Sequence, residues 1–297
     1  MINIQPFIEY LQKEKRASNH TIIAYQGDLT HFATYMKDAL EITALDKVTA
    51  NDIRTWIMTL LEDEQNSGRT VSRKLSSLKA FYRYEIKMGL ISSNPMNIIQ
   101  APNHKKKLPS YVEQKDMERL FGSELFPETF EGIRDQTIIE LFYGTGIRLS
   151  ELLNIRIQDI NFTEKNIKVL GKRNKERIIP WGNHLYELLT KYLDYYQKNI
   201  VADIENNYIF VTGNGKKLYP KAVYRIVRKY LDMVTTIDKR SPHVIRHTFA
   251  THMLNNGADL NAIKEILGHS SLAATQVYTH NSIEQLKSIY KQAHPRA

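Results

Sequence analysis

Apolar residues along the first hundred positions recur at helical spacing, and no run among them favours a strand. Ser18 is a typical N-cap for a helix that runs towards Lys37, and Thr49 or Asn51 is suited to cap the next one. A third periodic segment spans about residues 69–88 and meets a glycine, the commonest helix stop. The pattern predicts an all-helical N-terminal domain over residues 1–100.

The third of these helices has two chemically different faces. At ~100° per residue, one side collects apolar residues that would face a core, namely Val71, Leu75, Leu78, Phe81 and Tyr82. The opposite side collects cations with no acid between them: Arg69, Arg73, Lys79, Arg83 and Lys87. A solvated basic face is common. However, neighbouring like charges repel, so the row also favours contact with a DNA backbone.

The pattern changes after residue 100. Residues 101–110 contain two prolines and the run Lys105, Lys106 and Lys107, which cannot build a core, so they predict an inter-domain linker that is either a plain tether or a phosphate contact. Residues 111–297 mix helical patterns with two short β-prone runs, 166–170 and 176–179, around a basic hairpin turn. We predict a mostly α protein whose C-terminal domain is mixed α/β with a small sheet.

Composition narrows the function classes. The 297 residues carry a net charge of +9 with a pI near 9.4, which suggests a polyanionic partner without proving one. The chain has no cysteine, which excludes disulfides, thiolate nucleophiles and Cys-ligated zinc. The first residues lack the features of a signal peptide, and no apolar run is long enough for a membrane span. We therefore expect a cytoplasmic protein.

The stretch Ser241-Pro242-His243-Val244-Ile245-Arg246-His247 carries the clearest chemistry. Serine before proline is a strong helix start, so His243 and Arg246 would share the first turns, near free N–H groups suited to phosphate. His243 and His247 also have the i, i+4 spacing of zinc ligands. The glutamate of a zinc-protease motif is missing and Arg246 lies between them, so we expect no metal.

Three further residues are candidates that are ambiguous when taken singly. Two glycines precede Arg148 and would present it at a helix start, where it is either functional or an ordinary salt-bridge arginine. Gly268 would end a helix that Asp259 caps, so that His269 lies just beyond the helix end. A histidine at such a position, taken alone, is more often a C-cap than a catalyst. Tyr278 follows, and a lone tyrosine is usually a core residue. The clustering of these residue types raises the prospect of a site.

Together these motifs resemble the tyrosine recombinases of the phage integrase family, most closely the Xer branch, over essentially the full length. The matching positions are Arg148 in TGIRLSELL, Lys172 on the hairpin, His243 and Arg246 in HVIRH, His269 in LGH, and Tyr278 in YTH. One position departs from the pattern, because Arg173 stands where the family commonly has glycine. The arginine lacks the positive-φ freedom of glycine, but it adds a cation that could contact DNA.

The resemblance implies a helical, SAM-like DNA-clamp domain before a catalytic domain, and an enzyme that cuts and rejoins double-stranded DNA without metal, ATP or any cofactor. Tyr278 would be the nucleophile, Arg148 and Arg246 the phosphate clamp, His243 the general base and Lys172 the general acid. His269 would either bond to the phosphate or tune the site. Four protomers would act on two DNA sites, either all copies of this chain or together with a XerD-like partner. The C-terminal helix, residues 282–292, would pass to a neighbouring protomer or pack on its own domain through an apolar stripe of Ile283, Leu286, Ile289 and Tyr290. The role would be chromosome dimer resolution at cell division, or mobile-element integration.

Two other interpretations compete with this one. A type IB topoisomerase has a similar site, but the N-terminal helices and the Xer-like C-terminus argue against it. A DNA-binding architectural protein without catalysis would not need the complete set of catalytic residue types.

Overall fold

The computed structural model describes residues 2–103, 110–122, 124–171, 176–199, 207–268 and 280–296. They form two compact units that divide between residues 107 and 108. The fold class is the predicted one: mostly helical, with a single small sheet in the second unit among the residues described.

The first unit contains helices α1 (Gln5–Lys13), α2 (Asn19–Leu40), α3 (Ala50–Glu62) and α4 (Gly68–Lys87). Ser18 caps α2 by accepting a hydrogen bond from the Thr21 backbone N–H, as predicted. Of the two candidate caps for α3, Thr49 is the one used, in a capping box with Asp52. These helices enclose an aromatic core that includes Phe7, Phe32, Trp56, Phe81 and Tyr82.

Helix α4 has the two faces that its sequence predicts. The five apolar residues named above are buried, and the five cations named above are exposed. Because no acid lies between these cations in the helix, the sequence favoured a DNA backbone as their negative partner. For Arg73 this inference is wrong, because its guanidinium pairs with the buried Asp28 of α2. Lys87 also lies 5.1 Å from the ring centroid of Tyr10. A pattern within one helix does not reveal partners that come from a neighbouring helix.

The second unit begins with α5 (Gln114–Gly122), α6 (Phe130–Thr145) and the short α7 (Leu149–Leu152). An antiparallel sheet of order β1-β2-β3 follows, formed by β1 (Ile160–Asn161), β2 (Asn166–Leu170) and β3 (Glu176–Pro180). The register pairs Leu170 with Glu176, so β2 and β3 form the predicted hairpin. The remaining helices are α8 (Asn183–Asn199), α9 (Pro220–Asp232), α10 (Pro242–Asn255), α11 (Leu260–Leu267) and α12 (His280–Ala293).

Helix α6 lies at the centre of the second unit and packs against α8, α9 and α10. It is buried on almost every side, since even the charged residues Arg134, Asp135 and Glu140 are buried. Its buried end leads into the turn that carries Arg148. The central helix therefore provides a fixed base for the candidate site.

Candidate active site

The turn between α6 and α7 positions Arg148. Gly146 ends α6 in the left-handed conformation, with φ +58. A Cβ at this position would lie 2.6 Å from Phe249 and 2.7 Å from Leu267, so glycine lets α10 and α11 approach the turn closely. Arg148 then stands at the N-cap of α7. The two-glycine turn thus presents Arg148 at a helix start, as the sequence predicts.

Glu151 holds Arg148 in place. The Arg148 backbone N–H donates to Glu151 Oε2 and its Nη1 donates to Glu151 Oε1, both at 2.8 Å. Arg148 Nη2 donates to the carbonyl oxygen of Gly268, also at 2.8 Å. Burial would raise the pKa of Glu151, but hydrogen bonds from Arg177 and Arg148 outweigh it and keep that pKa below its ordinary value. Glu151 is therefore a buried anion.

Arg177 on β3 is the second partner of Glu151. Its Nη2 donates to Glu151 Oε2 at 2.8 Å and its Nη1 donates to Oε1. Sequence reasoning missed both Glu151 and Arg177. Glu151 had a detectable signal, since an acid three residues after an N-cap suits a capping box. Arg177 had none, because a single arginine in a β-prone run gives no sign of burial.

Arg246 comes from the helix start predicted at Ser241. Ser241 Oγ accepts from the Val244 backbone N–H, and Pro242 is the first residue of α10. Arg246 Nη1 donates to the carbonyl of Gly146 and Nη2 to that of Leu267. Burial, followed by the nearby positive charges of Arg148 and Arg177, lowers the pKa of Arg246 to about 9.

The C-terminal end of α11 brings these arginines together. The carbonyls of Ile266, Leu267 and Gly268 each accept from a different guanidinium, those of Arg177, Arg246 and Arg148. The carbonyl end of a helix carries partial negative charge, which favours cations there. Asp259 caps the start of α11 and Gly268 ends it with φ +64, as predicted. Three arginine side chains are therefore held at the helix end that immediately precedes His269 in the chain.

The other sequence-predicted residues fall into two groups. His243 is exposed on the first turn of α10, one turn before Arg246. Lys172 and Arg173, between β2 and β3, lie outside the described residues, and so do His269 and Tyr278. The linker lysines Lys105, Lys106 and Lys107 also lie outside them. The structure therefore brings Arg148 and Arg246 together and leaves the remaining candidates as predictions.

Comparison with known families assigns both units. The model of the phage integrase family matches residues 110–285, and that of the phage integrase N-terminal SAM-like domain matches residues 4–89. The chain belongs to the phage integrase family. Within this family, the Chlorobaculum parvum protein named tyrosine recombinase XerC is 37% identical, covering 99% of this chain and 94% of its own. The Staphylococcus haemolyticus tyrosine recombinase XerD is 35% identical over 99% of both.

A solved structure of another recombinase has the same fold as this phage integrase family member. XerH site-specific recombinase bound to a palindromic difH substrate, in a post-cleavage complex, aligns with a TM-score of 0.72 and 21% identity, covering 97% of this chain and 80% of that one. At this identity the likeness establishes the fold. The family assignment rests on the sequence matches.

Two further findings for this phage integrase family member concern metal ligands and membrane spans. Among the described residues, no three His, Cys, Asp or Glu side chains are grouped in a way that could hold a metal ion. Of the helices that the structure describes, none is long and apolar enough to cross a membrane.

Proposed function

We propose that the chain is a site-specific tyrosine recombinase that cuts and rejoins double-stranded DNA through a 3′-phosphotyrosyl intermediate. The observation that supports it best is the anchoring of Arg148 and Arg246 on successive carbonyls at the end of α11. Two guanidinium groups from separate helices converge there, just before the segment that contains His269 and Tyr278.

The electrostatics of the cluster suit an anionic substrate. Arg148, Arg177 and Arg246 contribute three positive charges, and the buried Glu151 contributes one negative charge. Arg246 donates to neutral carbonyls, so its charge is not cancelled by a direct acidic partner. Guanidinium forks match the nonbridging oxygens of a phosphate, and their attraction grows as the pentavalent transition state gains charge.

The proposed reaction is an exchange of phosphate esters. Tyr278 Oη attacks the scissile phosphorus, a 3′-phosphotyrosyl bond forms, and the bond to the 5′ oxygen breaks. His243 accepts the tyrosine proton, since a free tyrosine has a pKa near 10 and needs a base. Lys172 gives a proton to the leaving 5′ oxygen, while His269 bonds to the phosphate. Attack by the 5′-hydroxyl of another strand reverses these steps and joins new partners.

The exchange keeps the energy of the broken ester in the tyrosyl bond, so the proposal needs neither ATP nor a metal.

We assign residues 1–100 to a DNA clamp, residues 101–110 to a basic linker and residues 111–297 to catalysis. The exposed cations of α4, together with Lys105, Lys106, Lys107 and Arg173, would contact DNA. Relatives named tyrosine recombinase XerC and XerD support the recombinase assignment. The proposed role is chromosome dimer resolution at the nucleoid, by four protomers that are all copies of this chain or include a XerD-like partner.

A nicked DNA substrate that traps the covalent intermediate tests this function. We expect the unmodified chain to form a protein–DNA adduct and Tyr278→Phe to bind DNA equally well without forming one. Tyr224→Phe is the control, because Tyr224 is exposed on α9 and has no assigned role. A full adduct yield in Tyr278→Phe, mapped to another tyrosine, would refute the assignment. A non-catalytic DNA-binding protein would form no adduct in any variant.

A further inference from the structure

Arg177 has no role in the proposed chemistry, yet it makes more charged contacts than either clamp arginine. Its side chain is 5% exposed, against 29% for that of Arg148. We propose that Arg177 is a positioning residue for recombination: it fixes Glu151 against Arg148 and against the end of α11 without touching DNA. This inference rests on the proposed function and adds a residue to its site.

The contacts of Arg177 explain why it acts through other residues. Two of its nitrogens bind both oxygens of Glu151, and Nε donates to the Ile266 carbonyl at 3.0 Å. A Cβ at Gly268 would lie 3.1–3.2 Å from the Arg177 side chain, so the guanidinium packs directly on the helix end. Among the described residues, the Arg177 guanidinium is thus directed to Glu151 and to the end of α11, which favours an indirect role over contact with a substrate phosphate.

Glu151 requires this second partner. It is 2% exposed and shares its two oxygens between Arg148 and Arg177. Losing Arg177 would leave a buried carboxylate with one cation instead of two and a less restricted side chain, and we expect the Arg148 guanidinium to shift with it. Because Arg177 also follows the first residue of β3, it ties the hairpin that carries Lys172 to the same cluster. A displacement of about 1 Å in a catalytic group can cost about 10²-fold in rate.

The test compares Arg177 with a matched buried arginine. Arg134 is 10% exposed, binds Asp135 through two nitrogens and donates to the Val211 carbonyl, and none of these contacts involves Glu151 or the end of α11. We would measure single-turnover cleavage at saturating DNA, DNA affinity and thermal unfolding for Arg177→Met, Arg177→Lys, Arg134→Met and Arg134→Lys. Lysine keeps the charge but loses the bidentate fork, so Arg177→Lys carries the test if the methionine variant does not fold.

We expect both Arg177 variants to cleave more slowly per folded molecule, by about 10²-fold for methionine, with DNA affinity nearly unchanged. The Arg134 variants should lose stability yet cleave at the parental rate. Arg148→Ala/Arg177→Met should be no slower than Arg148→Ala alone, because both changes disable one unit. Parental cleavage by Arg177→Lys, an equal loss in the Arg134 variants, or additive losses in the double variant would overturn the inference.

The behaviour of the unmodified chain distinguishes a failure of this inference from a failure of the proposed function. If it forms no covalent adduct on the nicked substrate, the recombinase assignment fails, and the inference fails with it. If it forms the adduct and the Arg177 variants cleave at the parental rate, only the positioning role fails.

Discussion

At the scale of single residues, Arg246 is held by neutral acceptors while Arg148 shares its acidic partner with another arginine. Both therefore keep positive charge for a phosphate whose own charge rises in the transition state. We expect Arg148→Ala or Arg246→Ala to slow adduct formation by about 10² to 10³, with a modest loss of affinity. Arg119→Ala, an exposed arginine on α5, serves as the control. Normal cleavage with weakened binding would make these arginines positioning contacts only.

Lys172 is predicted to act as an acid, and a change of leaving atom separates this role from charge attraction. Lys172→Ala should cleave ordinary DNA slowly. A bridging 5′-thio substrate should restore much of the rate, because sulfur leaves without needing a proton. Lys172→Ala/Arg173→Ala, assayed in parallel, shows whether the neighbouring cation substitutes for the lysine. Equal defects on oxygen and sulfur substrates in both variants would exclude the acid role.

The site residues differ in how far sequence could reveal them. Arg148 and Arg246 follow local signals, a two-glycine turn and a Ser-Pro helix start, which position a side chain within a few residues. Glu151 and Arg177 owe their importance to a contact across 26 positions, which no local pattern encodes. Arg73 illustrates the same limit, since its partner Asp28 lies 45 positions away.

At the scale of helices and strands, capping signals predicted where α2, α3, α10 and α11 begin, because a cap is satisfied within three residues. The strands β2 and β3 also follow from their short β-prone runs. Strand β1 was missed, since two residues are too few for an alternating pattern. Helix α6 gives a weaker signal of its extent, because burial on almost every side removes the polar positions that mark a helix face.

Helix α12 packs within the second unit of this single chain, against β3, α10 and α11. Leu286 and Tyr290, half of the predicted apolar stripe, are buried there, and Asn256 Nδ2 donates to the Ala293 carbonyl at 2.8 Å. His294 follows the helix, stacks on Tyr290 and bonds through Nε2 to the Tyr143 carbonyl at 3.0 Å. Its Nδ1 accepts from the Arg296 backbone N–H, so a second ring proton would have no acceptor. The segment requires a neutral histidine.

This requirement predicts acid sensitivity. Burial lowers the pKa of His294 to about 4, below the ~6.5 of an unfolded histidine. The unfolded chain therefore binds the extra proton first, and stability falls as pH decreases from about 6.5 to about 4, by up to about 3 kcal/mol. Urea unfolding across this range should show the slope, and His294→Gln should flatten it. An unchanged slope in His294→Gln would assign the acid sensitivity to other groups. Burial also lowers the pKa of His252, so part of the slope should persist in that variant.

At the scale of the whole molecule, the net charge of +9 would attract a DNA partner through long-range electrostatics. Each lysine or arginine that neutralises a phosphate releases a counterion, so it adds about one unit to the slope of log affinity against log salt. We expect Lys79→Gln and Arg83→Gln on α4 each to reduce that slope by about one and to weaken all DNA sequences alike. Lys37→Gln, an exposed cation on α2, is the matched control and should leave the slope unchanged. If the α4 variants keep the parental slope, or the control lowers it equally, the basic face of α4 is solvated charge and the DNA clamp lies on another surface.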